Sequence, residues 1–322
     1  MNNFKKIGMT ALAASLVSTS VFAGELAVTG SASMNMSGHS GDALNEATAF
    51  TMGNQMTFAG SGELDNGLNV SLSFVIDQGD DSLPIDNHSV TVSSDALGTL
   101  VFHGEGGASA ASALDTTAAG DMWDNFNSNG GVTVTDSAPG DNSIFYTTPS
   151  LVEGLSVSAS YNPSVSGGTS GTAGNSTELG LSATYTGVEG LSLSYGVTDM
   201  DSGATATDGD QTAWKASYVY GPVTVAASNS DYDVTGTASD QEVSSYKLSY
   251  AVSDAISIGY GSESISTSTT GELDAEYDGF NASYTSGGMT VSASMQDGTE
   301  IAHSTAVAED VEYWSLGLSF AF

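Results

Sequence analysis

The chain has no cysteine, no arginine and only four lysines, two of which, Lys5 and Lys6, lie among its first residues. Without cysteine there is no disulfide framework, so an exported form must be held by backbone pairing and packing alone. The shortage of basic residues excludes nucleic acid and anionic lipid head groups as direct partners, because phosphate binders need Lys and Arg in number. No stretch approaches the ~18 consecutive apolar residues of a spanning helix, which excludes a helical membrane protein.

What is present starts with an export signal. Lys5 and Lys6 precede an apolar stretch from Ile7 to Val17, and Val21-Phe22-Ala23 stands before Gly24. That is the layout of a secretory signal over residues 1–23, cleaved after Ala23, and it leaves residues 24–322 as one domain. The remainder carries two lysines against 38 carboxylates, a formal charge of −36. So much charge on a weakly hydrophobic chain ordinarily signals disorder. Regular alternation argues otherwise, because a strand facing lipid on one side and water on the other needs only every second residue to be apolar.

The alternation is clearest at Trp314-Ser315-Leu316-Gly317-Leu318-Ser319-Phe320-Ala321-Phe322, where large apolar and small residues take opposite faces. It recurs in Leu68 to Phe74, Leu155 to Tyr161 and Leu191 to Tyr195, each with one face of Leu, Val and aromatics and the other of Ser or Asn. Sixteen such runs can be placed between residues 25 and 322, joined alternately by seven short turns and eight longer loops. The expected fold is therefore all-β: a transmembrane antiparallel up-and-down barrel of sixteen strands, its Ser/Thr/Asn face lining a water-filled lumen. Seven carboxylates fall at the short-turn end and the other 31 in or next to the long loops, a division that a random solvated surface would not show. A secreted adhesin or β-solenoid is the alternative from a different class, and the lack of a fixed repeat period counts against it.

Four stretches carry a resemblance: Gly24 to Gly30, the hairpin Phe58 to Leu68, Leu97 to Glu105, and the terminal Leu318-Ser319-Phe320-Ala321-Phe322. On these residues the chain resembles the general diffusion porins of Gram-negative bacteria, most closely the alphaproteobacterial type. The resemblance implies an outer-membrane trimer whose third long loop folds into the lumen and narrows it. Here that loop is about Gly106 to Gly140, and Ala108 to Leu114 within it could form a short helical turn. The constriction would then involve Glu105, Asp115, Asp121, Asp124 and Asp136. The family's usual wall of arginines is missing; Lys215 and Lys247, on the inward faces of their strands, are either a reduced basic wall facing the loop acids or simply solvated lumenal lysines.

The expected function is passive diffusion of small hydrophilic solutes with cations favoured, a solute-selective channel being the alternative within transport. Four histidines with many Asp and Ser make an enzyme conceivable, but no nucleophile motif accompanies them, and neither catalysis nor an organic cofactor is expected. Closely spaced acids such as Asp199/Asp201, Asp208/Asp210, Asp231/Asp233 and Glu272/Asp274/Glu276/Asp278 suggest either Ca²⁺ or Mg²⁺ binding or a merely solvated acidic rim. All thirteen tyrosines lie from Tyr146 onward, whereas the first five strands show Met and Phe instead. Tyrosine marks a barrel surface at lipid head groups, so the first five strands are the expected trimer contact, the alternative being a mere drift of composition along the chain.

Overall fold

The computed structural model of the chain describes residues 25–77, 85–134, 142–163, 177–201, 208–234, 240–304 and 310–322. The expected signal, residues 1–23, lies outside them. Sixteen strands follow in chain order. The first eight are β1 Glu25–Gly41, β2 Ala49–Glu63, β3 Asn69–Asp77, β4 Ile85–Ser94, β5 Gly98–Glu105, β6 Ser143–Thr147, β7 Leu155–Asn162 and β8 Thr177–Tyr185. The second eight are β9 Leu191–Asp201, β10 Gly209–Tyr220, β11 Val223–Val234, β12 Gln241–Ser253, β13 Ile256–Thr267, β14 Ala275–Ser286, β15 Met289–Thr299 and β16 Asp310–Ala321. Between β5 and β6 stand a single helical turn, α1 (Ser112–Asp115), and a 3-10 segment at Met122–Asn129.

Every strand pairs antiparallel with its sequence neighbours, and β16 returns to β1 to close the sheet. Ser31 pairs with Ala321 and Gly41 with Val311 along that seam, and Gly30 and Phe322 exchange both backbone hydrogen bonds at 2.7 and 2.9 Å. Closure removes the free edges that an open sheet would present. A membrane-crossing strand needs roughly 9–11 residues. Strands β9 to β16 run to 11–13, so their ends project past a lipid-sized band. The short connections are tight turns; Gly221, at φ 57°, supplies the left-handed residue that turns β10 into β11.

Register turns the alternation into two surfaces. Leu248, Tyr260, Phe280, Met295 and Trp314 stand side by side across β12 to β16 and face outward, while the next residues along, Lys247, Gly261 and Gly279, face inward. The inner surface is not uniformly small and polar as the sequence suggests. Towards the long-loop end Val243, Ile265, Ala275, Tyr277, Val311 and Tyr313 point inward and are buried, forming an apolar core inside the barrel with Met122, Phe126 and Ile301. Tyr232, Tyr277 and Tyr313 are thus packed within the barrel rather than set in an outer aromatic girdle. Their strands carry large residues on both faces at this height because a piece of chain covers them from within.

Candidate functional site: the loop inside the barrel

The covering piece is the connection from β5 to β6, of which residues 106–134 are described. Its backbone is held by one inward side chain after another as it travels around the wall. Ala110 N donates to Ser160 Oγ on β7 (2.8 Å) and Ala111 N to Thr198 Oγ1 on β9 (3.3 Å). Ala118 N donates to Ser228 Oγ on β11 (2.7 Å) and Ala119 N to Ser245 Oγ on β12 (2.9 Å). Trp123 N then reaches Glu263 Oε2 on β13 at 3.2 Å. Asn125 Nδ2 donates to Gln296 Oε1 on β15 (3.0 Å), and His39 Nε2 on β1 donates to Asn125 O (2.8 Å). The inward serines are therefore not all solvated channel lining; four hydroxyls satisfy loop amides that would otherwise be buried without a partner.

Glycines make room for this belt. A Cβ on Gly196 would lie 3.1 Å from Ala111 Cα, and one on Gly261 would lie 2.7 Å from Ala119 Cβ and 3.1 Å from Met122 Sδ. Past that point the 3-10 segment turns Phe126 into the apolar core, where its ring lies 5.1 Å from Tyr277 and 6.2 Å from both Tyr313 and His39. Val132 N to Ile301 O (2.8 Å) ties down the end of the described stretch.

The residues singled out from sequence divide. Lys215 and Lys247 do point into the lumen, but onto the loop's own backbone: Lys215 Nζ donates to Thr116 O (2.7 Å) and Lys247 Nζ to Ala119 O (3.4 Å). Each lysine thus carries a hydrogen bond to the loop, the one at Lys215 exposed and the one at Lys247 partly buried. Asp115 is half-buried and accepts from Gln211 Nε2 at 3.4 Å; Asp121 Oδ1 accepts from Thr117 N at 2.9 Å. Asp124 is exposed and accepts from Asn127 Nδ2 at 2.7 Å. Asp115, Thr117, Asp121 and Trp123 line a cavity of about 100 Å³ together with Ser230 and Val243. Glu105 sits apart at the end of β5, its carboxylate 3.8 Å from His88 Nδ1, and Asp136 lies outside the described residues.

The expected helical turn at Ala108 to Leu114 forms slightly later, at Ser112–Asp115, and the 3-10 segment was not foreseen. Glu263 was missed too. Its signal was faint: an acid following two inward glycines, Gly259 and Gly261, on one strand face. Across from the belt, the inward faces of β1 to β4 present Ser33, Asn35, Thr51, Gln55, Ser73 and Thr91, with no Lys or Arg. Among the described residues no three His, Asp or Glu side chains gather where they could hold a metal ion. Acids of the strand ends stand opposite one another across neighbouring strands in two rows of three, Asp199-Asp210-Asp233 and Asp278-Asp297-Glu312, and one pair, Asp231 with Glu242.

A closed sixteen-stranded barrel, greasy outside and narrowed from within by its own third long loop, is a diffusion channel of the outer-membrane kind. Residues 8–267 match the family model described as Gram-negative porin, and the chain belongs to that family. Its family and fold imply an outer-membrane protein, and they are those of channels that catalyse no reaction. Solved structures agree on the fold. A porin refined at 1.8 Å resolution superposes with a TM-score of 0.68 at 20% identity, covering 92% of this chain and 100% of that one. An anion-selective porin from Comamonas acidovorans gives 0.65 at 15% identity over 93% and 100%, and a five-site mutant of the Rh. blastica porin 0.65 at 17% over 92% and 100%. No curated protein sequence matches the chain significantly.

Proposed function

We propose that this porin admits ions and small hydrophilic solutes by passive diffusion and favours cations. One observation carries the sign: Asp115, Asp121 and Asp124 ride on the loop, while both lysines of the barrel are spent on that loop's own carbonyls and the wall opposite has no Lys or Arg. Carboxylates around a narrow aqueous path raise the local concentration of cations and depress that of anions. Fold alone does not decide the matter, since one structural neighbour is an anion-selective porin. The test is the zero-current potential across a planar bilayer under a gradient of dilute KCl; a potential of the sign that anion preference gives would overturn the reading.

The same proposal includes a homotrimer in the outer membrane, reached through the signal at residues 1–23. Its support is the outer face of β1 to β5, where Met52 is 70% and Leu72 48% exposed in the single chain and the Phe58 and Phe74 rings stack at 4.9 Å. That belt of Met and Phe, without tyrosine, suits protein contact better than a lipid head-group boundary. Native mass measurement of the detergent-solubilised protein tests it.

A further inference from the structure

We propose that Glu263 is the positioning residue of the constriction, a buried carboxylate on which the loop and its selectivity acids are hung. The proposal deepens the channel reading above and rests on the loop being its narrowing element.

Glu263 is 2% exposed in the middle of β13, on an inner face that would otherwise be wetted. A carboxylate is buried at a steep desolvation cost unless donors meet it. Here the loop supplies them: Thr117 Oγ1 donates to one carboxylate oxygen, Trp123 N donates to the other, and Ser245 Oγ on the neighbouring strand adds a longer bond at 3.4 Å. Two loop donors thus meet on one buried carboxyl group, whereas Ser228 and Ser245 each satisfy a single loop amide.

What Thr117 does next makes the contact a matter of function. With its proton given to Glu263, its Oγ1 accepts from Gly120 N (3.0 Å) and Asp121 N (2.7 Å), while Asp121 Oδ1 accepts in return from Thr117 N. The reciprocal bonds hold Asp121 in the left-handed region, φ 53° and ψ 53°, which a non-glycine residue leaves once unsupported. Residues 117–123 therefore form a closed knot whose two ends, Thr117 and Trp123, meet on one side chain. The orientation of Asp121, and the path on which Asp115 and Asp124 sit, follow from Glu263. Lys247, on the neighbouring strand of the same wall, donates to Ala119 O of the knot at 3.4 Å.

The experiment compares the full-length wild type with Glu263→Gln, Thr117→Val and the double variant, each read in two ways. The Glu263→Gln change keeps the shape of the side chain but replaces one of its two acceptor oxygens by an amide nitrogen, so that its two ends can no longer both accept from the loop. The Thr117→Val change cuts the bond from the loop side without touching the barrel wall. Amide exchange at Trp123 should accelerate about 10- to 100-fold in either single variant, as loosening a buried donor from its acceptor implies. Single-channel current should rise, the zero-current potential should shift towards zero, and the double variant should add nothing beyond either single change. Heat resistance of the folded barrel should stay unchanged, which separates positioning from general stability. Unaltered current and Trp123 exchange in both single variants would overturn the proposal, as would additive effects in the double variant or a loss confined to barrel stability. A wild type that prefers anions would remove the cation reading alone, because the exchange data still decide the role of Glu263.

Discussion

Truncating Phe126 to alanine tests the apolar half of the loop's attachment. Its ring is completely buried between Tyr277, Tyr313 and His39, and it leans on Gly298, where a Cβ would come within 2.9 Å of Phe126 Cε1. Removing a ring from so filled a site costs about 3–5 kcal/mol, from lost transfer energy plus the cavity left behind. The alternative state is a loop swung into a water-filled lumen, so water-to-interior transfer is the right reference. Spread over the docking equilibrium, that cost raises the undocked population on the order of a hundredfold to a few thousandfold, since ~1.4 kcal/mol is a factor of ten. The strands keep their own ladders and should hardly respond. Hydrogen exchange followed by mass spectrometry would show peptides covering 118–131 exchanging faster by that factor while peptides from 256–267 stay protected. Equal protection of the loop in Phe126→Ala and wild type would refute the idea that this core holds the loop; loss of protection throughout the barrel would show that the core supports the sheet instead.

Four further outcomes are expected. Gly261→Val should push Ala119 and Met122 off the wall, overpacking that costs about 1–3 kcal/mol, and should raise the single-channel current; an unchanged current would mean that the loop does not bear on β13 there. Replacing Asp115, Asp121 and Asp124 together by Asn should reduce cation preference more than the same change at Asp199, Asp201 and Asp208, as measured by zero-current potentials. Cation preference should weaken as KCl is raised, because the Debye length falls from ~10 Å at 0.1 M to ~3 Å at 1 M. A charged residue introduced at Leu72 or Phe74 should yield monomers in native mass spectra, whereas the same change at Leu193 should leave the oligomer intact.

The barrel could be read from sequence because its outer face obeys a period of two that no other fold needs sixteen times over. The number of strands and the closed up-and-down order are those observed, and even the inward lysines followed from the tyrosines and leucines beside them. The site was less legible for a physical reason. Where the loop lies against the wall, inward residues no longer meet water, so serines become anchors, glycines become clearance and Val243, Ile265 and Tyr277 become core, all without a change in local pattern that one strand could reveal. Lys215 illustrates the limit: alternation gives the direction of its side chain, but only the path of a loop about a hundred residues earlier gives its partner. Glu263 gave only a faint signal for the same reason, since what makes it special is Thr117 and Trp123.

The seam between β1 and β16 bears on how the chain reaches this state. Gly30 pairs with Phe322, so closure joins the first and last strands and is the least local pairing among the described residues. Contacts so distant in sequence are slow to form. Until they do, every partial sheet carries two unpaired edges and a broad apolar outer surface, the features that drive aggregation in water. The same feature that leaves the finished barrel without an edge makes its precursor hazardous in solution, so pairing of the last strand with the first has to coincide with entry into the bilayer, and a variant that weakens the seam should be lost to aggregation during assembly even if its finished barrel is stable.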